Sequence, residues 1–90
     1  MNRKEYRTAT DVYRAIVGNQ FLKDYTVIIT GRTGPTGKTT LCKLLNNAGV
    51  RAIEISESLN DQVDYLFNYE NDMIIDEENR TVLVVLNRLR

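Results

Sequence analysis

The first half of the chain alternates between helix-like and strand-like patterns of apolar residues. After Thr10, apolar positions recur at helical spacing, which predicts a helix over residues 11–19 with Thr10 as its N-cap. Residues 25–30 form a nearly continuous apolar run, as in a strand buried within a parallel sheet. A second helix is predicted over residues 41–47 and a second strand over residues 50–55.

The second half has one helical pattern and an ambiguous end. A helix is predicted after Ser56 or Ser58, where apolar residues again recur at helical spacing, and residues 72–75 form a short third strand. The tail 81–90 fits two patterns. Its β-branched residues favour a strand that forms a hairpin with the preceding one, whereas its apolar spacing favours a terminal helix. The sequence leaves both open.

Strands that alternate with helices predict an α/β fold. We expect a single domain over residues 1–90, a minimal three-layer domain with a short, mostly parallel sheet. In such sheets ligands bind at the carboxyl ends of the strands. The glycine-rich segment 31–40 follows the first predicted strand at that position.

Composition narrows the class of protein. Apolar residues make up 42% and charged residues 27%, with one cysteine and no histidine, which is typical of a small cytoplasmic protein and excludes a histidine-based triad. No apolar run approaches the length that spans a bilayer, so no membrane association is expected. Charge is segregated: residues 51–80 hold nine acids and two bases, hence −7, and the remainder holds three acids and ten bases, hence +7. Nucleic-acid binding has no clear signal.

The segment 31–40 has the order of a phosphate-binding P-loop, namely strand, glycine-rich turn, Gly-Lys-Thr and helix. Its glycines allow successive N–H groups to point at an anion, and the helix N-terminus adds further donors. Lys38 is predicted to contact the β- and γ-phosphates, as a catalytic group, and Thr39 to ligate Mg²⁺. The predicted nucleotide-binding residues are Gly31, Gly34, Thr36, Gly37, Lys38, Thr39 and Thr40.

This segment departs from the usual P-loop spacing. Gly31 stands one residue too early, and Pro35, which has no N–H, removes one donor from the loop. The shorter frame 33–40 resembles the ATP loop of the Mur ligases. These departures favour nucleotide binding over efficient catalysis.

A second motif, residues 73–77, combines an apolar run with Asp and Glu. As a Walker B strand it predicts that Asp76 holds Mg²⁺ through water and that Glu77 acts catalytically on a water molecule. Residues 27–55 and the strand 71–76 resemble the two ends of a nucleoside-monophosphate kinase. The chain would then be a much reduced protein of this kind. The resemblance implies ATP or GTP with Mg²⁺ as ligands, and weak NTPase or phosphotransferase activity. No arginine of the kinase lid is present between Ile55 and Asp72.

Two alternatives remain open at this point. The element order also resembles a thioredoxin-like fold without its redox motif, since residues 35–38 replace the two cysteines. The function could instead be that of a non-catalytic interaction or regulatory protein, for example a small viral or mobile-element inhibitor. Such a protein would bind a basic partner through the acidic segment 51–80.

Overall fold

A computed structural model describes residues 2–31, 37–55 and 71–86. These residues form a small α/β domain with a five-stranded sheet and two α-helices, so the predicted fold class is confirmed at this level. The elements in chain order are β1 (Asn2–Tyr6), α1 (Ala9–Val17), a 3₁₀ helix (Gln20–Leu22), β2 (Thr26–Gly31), α2 (Lys38–Asn47), β3 (Arg51–Glu54), β4 (Asn71–Asp76) and β5 (Thr81–Leu86).

The sheet is mixed, with strand order β1-β4-β5-β2-β3. The strand β2 is parallel to both of its neighbours, β3 and β5, whereas β4 is antiparallel to both β5 and β1. The prediction of a mostly parallel sheet therefore holds around β2 alone. The remainder is antiparallel because β4 and β5 form a hairpin, the connection that a short turn allows.

This hairpin decides between the two patterns at the end of the chain. Thr81–Leu86 is a strand, so the helix interpretation is wrong for these residues, and residues 87–90 lie outside the described part. Val82, Val84 and Leu86 are fully buried, which a strand achieves by pointing alternate side chains at the same face. Burial of that face therefore outweighs the helical spacing of the apolar residues.

The core lies between the helices and one face of the sheet. Apolar residues of both helices pack against the alternate positions of β2 and β5 that point to that face. Residues of this core include Val12, Ile16, Leu22, Val27, Ile29, Leu41, Leu45, Ala52, Met73, Val82, Val84 and Leu86. The helix predicted after Ser56 or Ser58, which would supply a third layer, lies outside the described residues. Neither described helix is long and apolar enough to cross a membrane.

Two features of the first helix and strand differ from the prediction. The helix α1 begins two residues earlier than expected, because Thr8 rather than Thr10 is its N-cap and its hydroxyl accepts a hydrogen bond from Asp11 N at 3.1 Å. The strand β1 was not predicted. It is mostly polar and charged and forms one edge of the described sheet, where charged side chains discourage pairing with other chains.

The opposite edge, β3, is covered by a side chain from α2. Asn46 accepts a hydrogen bond from Ala52 N and donates one to Ala52 O, both at 3.1 Å. Its amide therefore occupies the positions that a neighbouring strand would fill with a peptide group. The Cys42 thiol, one helical turn earlier, also lies 3.5 Å from Ala52 O. This arrangement satisfies an edge peptide group that would otherwise be open to another strand.

Candidate functional site

The carboxyl ends of β2 and β5 meet the first turn of α2 at one end of the sheet. Gly31 and Leu86 are the last pair in the register of these strands, and α2 starts at Lys38, after the N-cap Gly37. The structure thus describes both flanks of the predicted P-loop. Gly34, Pro35 and Thr36 lie outside the described residues.

Gly31 has a packing reason to be glycine. Its φ is +143°, and a Cβ added to it would lie 2.4 Å from Leu86 O and 2.7 Å from Leu86 N. These are backbone atoms within the sheet and have little freedom to move aside. The close approach of β5 therefore explains this glycine without reference to a ligand, and Gly31 stays a prediction as a nucleotide-binding residue.

The N-cap residue of α2 is a glycine, so it has no side chain with which to cap the first turn. Gly37 adopts a left-handed conformation with φ +90°, contributes no capping hydrogen bond, and no acidic residue is present in the first turn. The first N–H groups of a helix have no partner within the helix, and they form the positive end of its dipole. An anion can satisfy both, which makes this turn a suitable phosphate site.

The first turn of α1 lies beside it. A Cβ placed on Gly37 would be 3.9 Å from the Cβ of Ala9, the first residue of α1. The α1 turn, in contrast, is capped by Thr8 and carries the acidic Asp11. Two helix N-termini therefore lie at the same end of the sheet. Because α1 is capped by its own side chain and carries an acid in its first turn, the positive potential at this end comes from α2.

Among residues 4–31, 37–55 and 71–86, Lys38 is the most buried basic side chain, at 8% exposed. Lysine is almost never this buried, because the ammonium group loses its hydration. As the first residue of α2, Lys38 adds a full positive charge to the turn whose backbone N–H groups have no partner within the helix. The site is thus suited to anions by both dipole and charge. Thr40, further along the same turn, is exposed.

Thr39 donates its hydroxyl hydrogen to a carboxylate that the sequence analysis did not single out. Its Oγ1 lies 3.1 and 3.0 Å from the two carboxylate oxygens of Glu54, the last residue of β3. Glu54 is in register with Ile29, two residues before Gly31. One signal for this contact was present in the sequence. Polar residues recur at helical spacing along α2, at Thr39, Cys42 and Asn46, and all three contact residues of β3.

Asp76 and Glu77 lie at the other end of the sheet. Asp76 is in register with Thr81, and Thr81 with Thr26, five residues before Gly31, so roughly 16 Å of strand separates the two ends. The separation arises because β4 runs antiparallel to β5, which carries its carboxyl end away from α2. A Mg²⁺ site shared by Thr39 and Asp76 does not fit this placement.

The Asp76 carboxylate instead closes the β4–β5 turn. It accepts hydrogen bonds from Asn79 Nδ2 at 2.7 Å, Glu78 N at 3.1 Å and Asn79 N at 3.2 Å. The side-chain bond from Asn79 is the main reason that the pKa of Asp76 lies below its usual value, with the two backbone bonds adding to it. This carboxylate has a structural function in the hairpin.

Two further polar residues are buried at the carboxyl end of β2. Thr30 is 1% exposed, and within the described part of the chain its Oγ1 has no hydrogen-bond partner. Asp72 is fully buried in the same row of the sheet, since Val85 is in register with both residues. Asp72 therefore lies at the same end of the sheet as Glu54, whereas Asp76 lies at the opposite end. Because Asp72 is fully buried, an acidic surface over residues 51–80 does not include it.

Among residues 2–31, 37–55 and 71–86, no group of three or more His, Cys, Asp or Glu side chains is arranged to hold a metal ion. A cation near α2 would thus depend on few protein ligands. The chain matches no family model, and no curated protein and no solved structure is significantly similar to it.

Proposed function

We propose that this protein binds the phosphate groups of a nucleotide, ATP or GTP, at the first turn of α2. The glycine N-cap of α2, at the end of the sheet where the parallel strands β2 and β5 finish, is the observation that supports this function. The buried Lys38 adds the charge that a polyphosphate requires. In this proposal the fold is P-loop-like, with β2 as the strand that precedes the loop.

Mg²⁺ would be held at Thr39 and Glu54. The Thr39 hydroxyl donates its hydrogen to Glu54 and keeps its lone pairs for a cation. Mg²⁺ commonly uses one or two protein oxygens, with water and phosphate oxygens completing its six ligands. Two protein groups are therefore enough when the nucleotide is bound, whereas the metal alone would bind weakly.

Binding is better supported than turnover. Glu77, the predicted catalytic acid, lies at the far end of the sheet, so it cannot act on a phosphate at α2. Lys38, the first residue of α2, is the candidate catalytic group nearest to the proposed site. Phosphoryl transfer depends on several positioned charges, and a site with one lysine supports at most slow hydrolysis.

Isothermal titration calorimetry with Mg²⁺-ATP and Mg²⁺-GTP tests this function. Lys38→Met keeps the aliphatic stem and removes the charge, so we expect at least about a tenfold loss of affinity, or about 1.4 kcal/mol. Lys43→Met, an exposed lysine on the same helix, is the matched control and should bind as the original protein does. Glu54→Gln should remove the dependence of affinity on Mg²⁺ while leaving the binding of nucleotide in EDTA unchanged.

The absence of binding heat at millimolar nucleotide would contradict the proposal. Equal affinities for Lys38→Met and Lys43→Met would also contradict it, because the phosphate would then lie elsewhere. Retention of the Mg²⁺ dependence in Glu54→Gln would reject the metal site and leave the phosphate site in place.

A further inference from the structure

A cleft of about 510 Å³ lies at the amino end of the sheet, remote from the first turn of α2. It runs between the end of α1 with the following 3₁₀ helix on one side, and the turn after α2 on the other. Its apolar lining combines the buried Ile16 and Leu22 with the partly exposed Val17 and Val50. Clefts of this size and lining are large enough to hold an aromatic side chain.

An aromatic side chain projects beside the cleft. Phe21 is 89% exposed, the most exposed large apolar side chain of the described residues, and both of its neighbours, Gln20 and Leu22, line the cleft. The 3₁₀ turn that carries it is ordered by Asn19, whose Oδ1 accepts a hydrogen bond from Phe21 N at 2.9 Å. Transfer of this exposed ring from water into an apolar cleft would be favourable, and aromatic side chains often provide much of the binding energy at interfaces.

We propose that the partner is a second copy of this chain, with Phe21 of each copy seated in the cleft of the other. In a two-fold contact the same patch serves both subunits, so a projecting group and its receptor must lie side by side on one surface. Phe21 and the cleft meet this condition. Seating both rings removes two exposed phenylalanines from water and fills two clefts in one contact.

The charges around the cleft are also self-complementary. Lys23 lines the cleft, and the adjacent Asp24, whose carboxylate lies 4.0 Å from the Arg80 guanidinium, has a side chain that is still 80% exposed. A two-fold contact can place Lys23 of one copy against Asp24 of the other, twice, which favours the correct orientation. The formal net charge of the chain is zero, so two copies do not repel each other through their overall charge.

The apolar surface available to this contact is small. Phe21 and Val17 are the exposed large apolar residues at the cleft, and an interface built around them lies in the class of weak, transient contacts. We expect a monomer–dimer equilibrium with a dissociation constant of roughly 0.1–1 mM.

Sedimentation equilibrium up to about 2 mM chain, above the expected range of the dissociation constant, tests the proposal. Phe21→Ser should weaken the association at least about tenfold, while circular dichroism stays unchanged because the ring makes few contacts within the chain. Ile53→Ser is the matched control, since Ile53 is 49% exposed and lies on β3, outside the cleft lining. It should associate as the original protein does.

A charge exchange tests the two-fold geometry. Lys23→Glu brings acids together and should weaken the dimer, and the double variant Lys23→Glu/Asp24→Lys should restore it. Three results would overturn the proposal: a monomer at the highest concentration, an unchanged association in Phe21→Ser, or equal losses in Phe21→Ser and Ile53→Ser. Growth into longer chains with concentration would overturn the two-fold contact, because a closed dimer stops at two copies.

Discussion

The two ends of the sheet use different kinds of residues. At the amino end, polar groups are satisfied within the chain: Asp76 binds Asn79 and the turn backbone, and Asn46 binds the backbone of Ala52. At the carboxyl end, a glycine starts α2 without a capping side chain, next to a buried lysine. The difference teaches that the amino end of this sheet satisfies its polar groups with its own side chains, whereas the carboxyl end has a glycine N-cap and a buried lysine beside the proposed phosphate site.

The largest effect is expected at Gly31, and Gly49, a glycine with positive φ at the opposite end of the sheet, provides the comparison. Gly31→Ala places a Cβ against the Leu86 backbone and should cost at least about 3 kcal/mol of unfolding free energy. Gly49→Ala meets no atom within 4 Å and should cost about 1 kcal/mol, from its φ of +88° alone. Urea unfolding measures both, and equal losses would show that the approach of β5 does not constrain Gly31.

The edge of β3 offers a test of intermediate size. Asn46→Ala removes two hydrogen bonds to Ala52 and leaves the N–H and C=O groups of Ala52 without these partners. A loss of about 1–2 kcal/mol of unfolding free energy is expected. Asn47→Ala, at an exposed position in the same turn, controls for the higher helix propensity of alanine. A thermal melt of each variant provides the comparison. A loss in Asn46→Ala no greater than in Asn47→Ala would mean that the edge contact contributes nothing.

The smallest effect concerns pH at the β4–β5 turn. Because the pKa of Asp76 is lowered in the folded protein, its contribution to stability is present above its unfolded pKa and is lost as pH falls through the folded value. In Asp76→Asn, the decrease in melting temperature below about pH 4 should be shallower than in the original protein. Glu77→Gln, at the next position, should keep the original acid profile. If the two variants titrate alike, the turn hydrogen bonds do not carry this dependence.

Local patterns predicted much of what the structure shows. The continuous apolar run predicted β2 and the helical spacing of apolar residues predicted α2, because both elements bury apolar side chains. For residues 81–86 the β-branched composition favoured the observed strand, although the apolar spacing favoured a helix. Each of these elements leaves a signal in the local sequence. The strand β1 leaves none, because an edge strand is held by backbone pairing with β4, 65 or more residues away. Likewise Glu54 and Asp76 are both acids at the ends of strands. They lie at opposite ends of the sheet only because β3 and β4 run in opposite directions, which the local sequence does not indicate.

The α2–β3 pair is attached at two places, by Thr39 to Glu54 near the start of the helix and by Asn46 to Ala52 near its end. These attachments are seven residues apart, or about 10 Å along the helix axis. Because these contacts lie near the two ends of α2, they oppose both translation of the helix along β3 and rotation of the helix about its own axis. A displacement of the first turn of α2 would therefore be transmitted through β3 to its neighbour β2 in the sheet.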